Sequence, residues 1–186
     1  MNKGVIYYTR IREEYQNTHL EHMIGDKLLE TALKQERNIK LSEEPRGVGE
    51  HGKPFLSYRP GVHYNISHSG AYVVCVLADQ EVGIDIQIHR EVNYDRMLRR
   101  MVTEKEREEI LKRPDLEQEF FRQWVIREAF IKWTGEGLSR DLRKISEKEG
   151  VCRFLNLPER EKGYSCALWS ADPIEITWKY ADIMLD

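Results

Sequence analysis

The chain has 186 residues, 40% of them hydrophobic, and balances 29 Lys and Arg against 32 Asp and Glu for a net charge of −3 at pH 7. That length buries a real core, as one domain or two tightly joined halves, and the near-neutral charge supplies no global basic field, so nucleic acid is not expected as a partner. Three cysteines without metal spacing argue against a closed disulfide set and for a reducing cytoplasm.

In chain order, Val5-Ile6-Tyr7-Tyr8 predicts an opening strand and Leu20 to Lys34 a helix. No signal-peptide pattern is expected in Met1 to Arg10. In Gly52-Lys53-Pro54-Phe55, Lys53 is either a plain surface lysine or a phosphate contact. Val62 to Ala78 predicts paired strands, with Ser67, His68 and Ser69 just ahead of Gly70. Hydroxyls and an imidazole beside such a bend are good donors to phosphate oxygens. The plainer reading of His68 is a core or turn histidine, and a Ser67–His68 nucleophile lacks a third member and an oxyanion element. The run from Tyr72 to Ala78 is the longest apolar stretch and is too short to cross a membrane, so no membrane association is expected.

Strict alternation in Val82 to Ile88 predicts a strand with Val82, Ile84, Ile86 and Ile88 on one face and Gly83, Asp85 and Gln87 on the other. Residues two apart on a strand lie about 7 Å apart and point the same way, so Asp85 and Gln87 can approach one ion or ligand. Further on, Met97 to Val102 mixes basic and apolar residues, the plainer reading of which is an amphipathic turn packing on the core, and Thr103-Glu104-Lys105-Glu106 has the spacing of a capping box that starts a helix. The helix from Leu116 to Thr134 carries Phe121, Trp124, Glu128 and Ile131 on one face, with Lys132 beside them and Gly135 as its stop. A carboxylate on an apolar face needs a cation or a proton: Lys132 is one candidate partner for Glu128 and a metal is another. With Asp85 it makes an oxygen-rich site for a hard cation, Mg²⁺ where phosphates are handled. Gly163 to Ser170 and Ile174 to Tyr180 predict a closing strand pair, where Trp169 and Trp178 read as structural.

Four ordered motifs, Gly52-Lys53-Pro54, Asn65-Ile66-Ser67-His68-Ser69-Gly70, Val82-Gly83-Ile84-Asp85-Ile86 and Trp124-x-x-x-Glu128-Ala129-x-x-Lys132-x-x-Gly135-x-Gly137-Leu138, carry a resemblance. From about Gly25 to Leu138 the chain resembles the 4'-phosphopantetheinyl transferase family, of the type that activates peptide and polyketide synthetases, the surfactin-synthetase-activating type. The resemblance implies an α+β fold of two α/β halves related by a pseudo-twofold axis, with the active site in the cleft between them. Residues 1–80 would be the N-terminal half that binds coenzyme A, and 81–186 the half that binds metal and docks the carrier protein. A monomer is expected, because the second half supplies what single-half relatives gain by oligomerising.

The activity implied is Mg²⁺-dependent transfer of the phosphopantetheine arm of coenzyme A to a serine of an apo acyl- or peptidyl-carrier protein, releasing adenosine 3',5'-bisphosphate. Asp85, Gln87 and Glu128 would face the metal, and Lys132 would donate to phosphate oxygens. Lys53, Ser67, His68 and Arg46 would hold coenzyme A. The proton acceptor is either Glu128 or a metal-bound water. Arg96, Arg99 and Arg100 suit an acidic carrier, with Met101 or Val102 as apolar contact. Three positions depart from the family: Gln87 stands where many relatives have a carboxylate, Arg127 replaces a lysine, and Glu21 falls where an arginine often meets the nucleotide phosphate. The other classes are a degenerate, non-catalytic carrier- or coenzyme-A-binding module, for which Gln87 and Glu21 speak, and a Mg²⁺-dependent phosphodiesterase that would consume coenzyme A without a carrier.

Overall fold

The computed structural model describes residues 2–16, 18–146, 148–159 and 162–185, with Leu138 entering through its backbone alone. In chain order the elements are β1 (Asn2–Arg10), α1 (Leu20–Arg37), β2 (Arg46–Val48), β3 (Pro54–Leu56), β4 (His63–Ser69), β5 (Tyr72–Ala78), β6 (Val82–Ile88), α2 (Tyr94–Met101), α3 (Glu104–Leu111), α4 (Leu116–Thr134), β7 (Val151–Phe154), β8 (Tyr164–Ser170) and β9 (Ile174–Tyr180). Helix α4 has the limits its pattern predicts, and Gly135 at φ 70° closes it with an N–H to the Ile131 carbonyl. Helix α1 runs one turn further than expected, to a left-handed Asn38 at φ 53°. The capping box at Thr103 and Glu106 is present.

Alternation along the strands builds two sheets. The first has the order β4-β5-β1-β9 and the second β6-β8-β7, with a separate β2-β3 ribbon. One face of the first sheet, with Val5, Tyr7, Val73, Cys75 and Leu77, packs on Ile24, Leu28, Leu29, Ala32 and Leu33 of α1. Its other face, with Ile6, Val74 and Val76, meets Val82, Ile84, Ile86 and Leu168 of the second sheet. The far face of the second sheet presents Ala167 and Trp169 to Val125, Ala129 and Phe130 of α4. The stacking is therefore helix, sheet, sheet, helix, each layer burying the stripe its periodicity dictates. Among the described residues no helix is long and apolar enough to cross a membrane.

The closing strand departs from expectation. Ile174–Tyr180 does not pair with β8 but runs parallel to β1, Ile6 opposite Trp178. The reason is edge availability: β8 lies between β6 and β7, which occupy both its edges, whereas β1 has one edge free after pairing with β5. Trp169 is structural as read, its indole N–H donating to the Ile126 carbonyl at 2.8 Å.

Candidate active site

Strand β6 is an edge strand of the second sheet, and its two faces divide as the alternation predicts: Val82, Ile84 and Ile86 join the inter-sheet core, while Gly83, Asp85 and Gln87 turn toward α4. The glycine is what lets the helix approach, because a Cβ at position 83 would overlap the backbone of Ala129 and Trp133. Asp85 and Lys132 thereby meet, Lys132 Nζ lying 2.6 Å from Asp85 Oδ1. The i,i+4 pair of Glu128 with Lys132, open at the sequence level, is not formed; the lysine reaches the strand instead.

Ser67 on β4 completes this centre. Its hydroxyl donates to Asp85 Oδ1 at 2.9 Å and accepts from Lys132 Nζ at 2.9 Å and from the Ile86 backbone N–H at 3.2 Å. A hydroxyl has one donor and two acceptor sites, so Ser67, which is 4% exposed, is saturated within the protein. His68, its neighbour, points to the other face of the strand, toward α1. There Nδ1 lies 2.9 Å from Glu21 Oε2, and His22 makes an edge-on ring contact at 5.0 Å. The two residues expected to act together on coenzyme A thus serve opposite sides of β4, and they do not form a nucleophile pair. Burial lowers the His68 pKa, helped by His22 and Lys132 and opposed by Glu21.

The acids are short of counter-charge. Asp85 is 6% exposed and its Oδ2 is buried without a hydrogen-bond partner. Burial, and then the like charge of Asp85, raise the pKa of Glu128, with Lys132 opposing. Gln87 is half-buried next along the strand, its amide nitrogen donating to Ser69 Oγ at 3.1 Å and to the Ile88 carbonyl at 3.3 Å. The side chains of Asp85, Glu128 and Gln87 each offer oxygen atoms, the donor type that a hard divalent cation takes. Among the described residues no three His, Cys, Asp or Glu side chains gather as a metal cluster.

Lys53 and Lys132 line a cavity of about 270 Å³, walled by Gly52, Gly135, Gly137, Asn65 and Ile66. Lys53 Nζ also pairs with Glu81 and donates to the carbonyls of Val82 (3.3 Å) and Trp133 (2.8 Å). It therefore staples the start of β6 to the negative end of the α4 dipole, a structural task beyond the surface or phosphate roles expected of it. Arg46 lies on the β2-β3 ribbon and forks onto Asp26 at 2.7 and 3.2 Å.

Helix α2 and its exit hold the expected docking residues. Arg96, Arg99 and Arg100 are exposed, Arg99 paired with Asp95 at 3.0 Å. Met101 and Val102 correct the reading: each is 2% exposed and sealed in a core with Leu98, Ile110, Phe120 and Phe121. An amphipathic helix turns its apolar stripe to its own core first: Leu98 and Met101 lie on that stripe, and Val102, the extended residue that ends the helix, joins the same core. Arg127 is also buried, donating to the Met101 carbonyl at 2.5 Å and to Gln123, which ties α4 to the end of α2.

The family model of the 4'-phosphopantetheinyl transferase superfamily matches residues 81–180. A 4'-phosphopantetheinyl transferase of Bacillus subtilis is 35% identical over 126 residues, 67% of this chain and 56% of that protein. The Sfp 4'-phosphopantetheinyl transferase of Bacillus subtilis (strain 168) is 28% identical over 167 residues, 81% of this chain and 74% of its own length. The psf-1 4'-phosphopantetheinyl transferase of Bacillus pumilus is 35% identical, with 81% of this chain and 66% of that protein covered. The chain thus spans from just over half to about three quarters of the length of these relatives.

Proposed function

We propose, because this chain belongs to the 4'-phosphopantetheinyl transferase superfamily, that it transfers the 4'-phosphopantetheine moiety of coenzyme A to a serine of an apo acyl- or peptidyl-carrier protein. Holo carrier protein and adenosine 3',5'-bisphosphate are the products. The observation that carries this reading is the meeting of Asp85 and Lys132 across β6 and α4, with a buried Asp85 oxygen left unpartnered. The names of the Bacillus relatives support the same chemistry.

Asp85 Oδ2, the Glu128 carboxylate and the Gln87 amide oxygen would hold Mg²⁺. When bound, the ion screens the pyrophosphate and stabilises charge on the leaving phosphate. Lys132, aimed by Asp85 and Ser67, donates to phosphate oxygens where negative charge grows. The partner's serine oxygen bonds to the phosphorus at the phosphopantetheine end of the pyrophosphate, and the bond from that phosphorus to the bridging oxygen breaks. Glu128, beside the same centre, is the proposed acceptor of the serine proton. The glycine-walled cavity beside Lys53 and Lys132 and the His68 imidazole are the proposed places for coenzyme A.

The exposed arginines of α2 are the proposed meeting place for an acidic carrier. The two halves, 1–80 and 81–186, with a pseudo-twofold relation and a cleft between them, belong to the same proposal. What supports it is the matching outer helix on each sheet, α1 on the first and α4 on the second. A reducing cytoplasm is the proposed setting, consistent with free Cys75, Cys152 and Cys166.

Intact-mass spectrometry of apo carrier proteins incubated with this protein, coenzyme A and Mg²⁺ tests the activity. A gain of one phosphopantetheine arm that disappears with Asp85→Ala and Glu128→Ala is the expected result. Carrier binding without any mass gain would instead favour the non-catalytic binding module.

A further inference from the structure

We propose that Ser67 and Ser69 are positioning residues: each grips one polar atom of a β6 side chain and leaves the other oxygen of that side chain free for the cation. This rests on the metal reading of Asp85, Gln87 and Glu128. The device begins in the backbone. Residues Asn65, Ser67 and Ser69 alternate along β4 and face the open edge of β6, whose other edge pairs with β8. Asn65 Oδ1 accepts from the Ile84 N–H at 2.9 Å, Ser67 Oγ from Ile86 at 3.2 Å and Ser69 Oγ from Ile88 at 3.0 Å. Side chains thus stand in for a ladder strand, and the spacing of 2 on β4 meets the spacing of 2 on β6.

The same two hydroxyls then reach the side chains between those N–H groups. Ser67 donates to Asp85 Oδ1, and Asp85 Oδ2 remains without a partner. Ser69 accepts from Gln87 Nε2 at 3.1 Å, and Nε2 also donates to the Ile88 carbonyl at 3.3 Å. Turning the amide over would set two carbonyl oxygens against each other at Ile88, so the hydrogen bonds fix which end is which. The amide oxygen, the only atom of Gln87 able to bind a cation, is held on the side away from β4. A carboxylate at position 87 has two equivalent oxygens and needs no such choice. The Ile88 carbonyl, an acceptor only, selects the nitrogen end of the Gln87 amide, and Ser69 holds that end in place.

The test uses Mn²⁺ as probe, its affinity measured by titration calorimetry and electron paramagnetic resonance in the presence of coenzyme A. Ser69→Ala should weaken Mn²⁺ binding about fivefold, the worth of one neutral hydrogen bond, and Ser69→Thr should restore it. In a Gln87→Glu background Ser69→Ala should lose less than about twofold, since either carboxylate oxygen serves. Should Ser69→Ala be too unstable to titrate, Ser69→Cys reads the same effect, because sulfur accepts weakly. Loss of Mn²⁺ affinity in Asp85→Ala, with Ser69→Ala unchanged, would overturn the positioning role alone. An equal loss from Ser69→Ala with and without the Gln87→Glu substitution would also overturn it, leaving Ser69 as a mere edge cap. Mn²⁺ affinity unchanged in Asp85→Ala would remove the metal reading and this inference with it.

Discussion

At the scale of single residues, the site gathers groups that the fold has to hold together at a cost. Glu128 is pushed toward its protonated form by burial and by Asp85. Its folded pKa lies above the unfolded one, so its ionisation opposes folding at pH values above the raised pKa. That cost fades as pH falls and is gone below the unfolded value of about 4.3. Glu128→Gln should therefore raise the melting temperature of the metal-free protein at pH 7.5 and leave it unchanged near pH 4. Differential scanning calorimetry at the two pH values checks this; equal melting temperatures at pH 7.5 would deny the charge conflict. Asp85 Oδ1 is held by Lys132 and Ser67, and its Oδ2 is buried without a hydrogen-bond partner.

At the scale of elements, β6 and α4 form the working unit, and Gly83 sets how close they come. With Ala129 and Trp133 backbone atoms where a Cβ would stand, Gly83→Ala should push the helix outward. The expected destabilisation is about 3 kcal/mol, the upper end of overpacking costs, and Lys132 would be drawn away from Asp85. Gly61→Ala is the control, since nothing lies within 4 Å of a Cβ there, and the unfolded chain alone would be stiffened. Urea midpoints of the two variants should move in opposite directions. Lys53 belongs to this scale too: by holding Val82 and Trp133 together, it fixes the start of β6 against the end of α4.

At the scale of the molecule, β9 binds the two ends of the chain. It adds to β1 in parallel, buries Ile174 and brings Trp178 and Tyr180 to Tyr8 at ring separations of 5.8 and 5.4 Å. A chain ending at Ser170 would keep every residue of the site and yet uncover an edge of the first sheet. We expect it to lose its cooperative thermal transition by circular dichroism; a sharp, wild-type melt would show the second sheet and α4 to be self-sufficient. The sheet that supports Ser67 and Ser69 is thus finished only when the last strand of the chain arrives.

Helix α4, the alternation of Val82 to Ile88 and the capping box at Thr103 were legible in the sequence because each is written within a few residues as a period or a cap. The residues proposed for the site were legible for the same reason: Asp85, Glu128 and Lys132 sit in local motifs whose facing direction follows from 2.0 and 3.6 residue repeats. What local pattern could not reveal was who meets whom across elements. Lys132 reaching Asp85, Ser67 bonded to Asp85 and the Ile86 N–H, and His68 turned to Glu21 all depend on how the layers pack. The alternation Asn65-x-Ser67-x-Ser69 was the one available signal for the bridge, polar side chains on the inner face of an otherwise apolar pair of strands. Met101 and Val102 read either as an amphipathic turn packing on the core or, by the resemblance, as docking contacts, and the core reading holds because α4 covers them, which lies beyond any local window. Periodicity and motif were enough to set the elements, the family and the chemical groups. Their partners were set by packing, because long-range contacts follow from which edges and faces remain free once the layers have stacked.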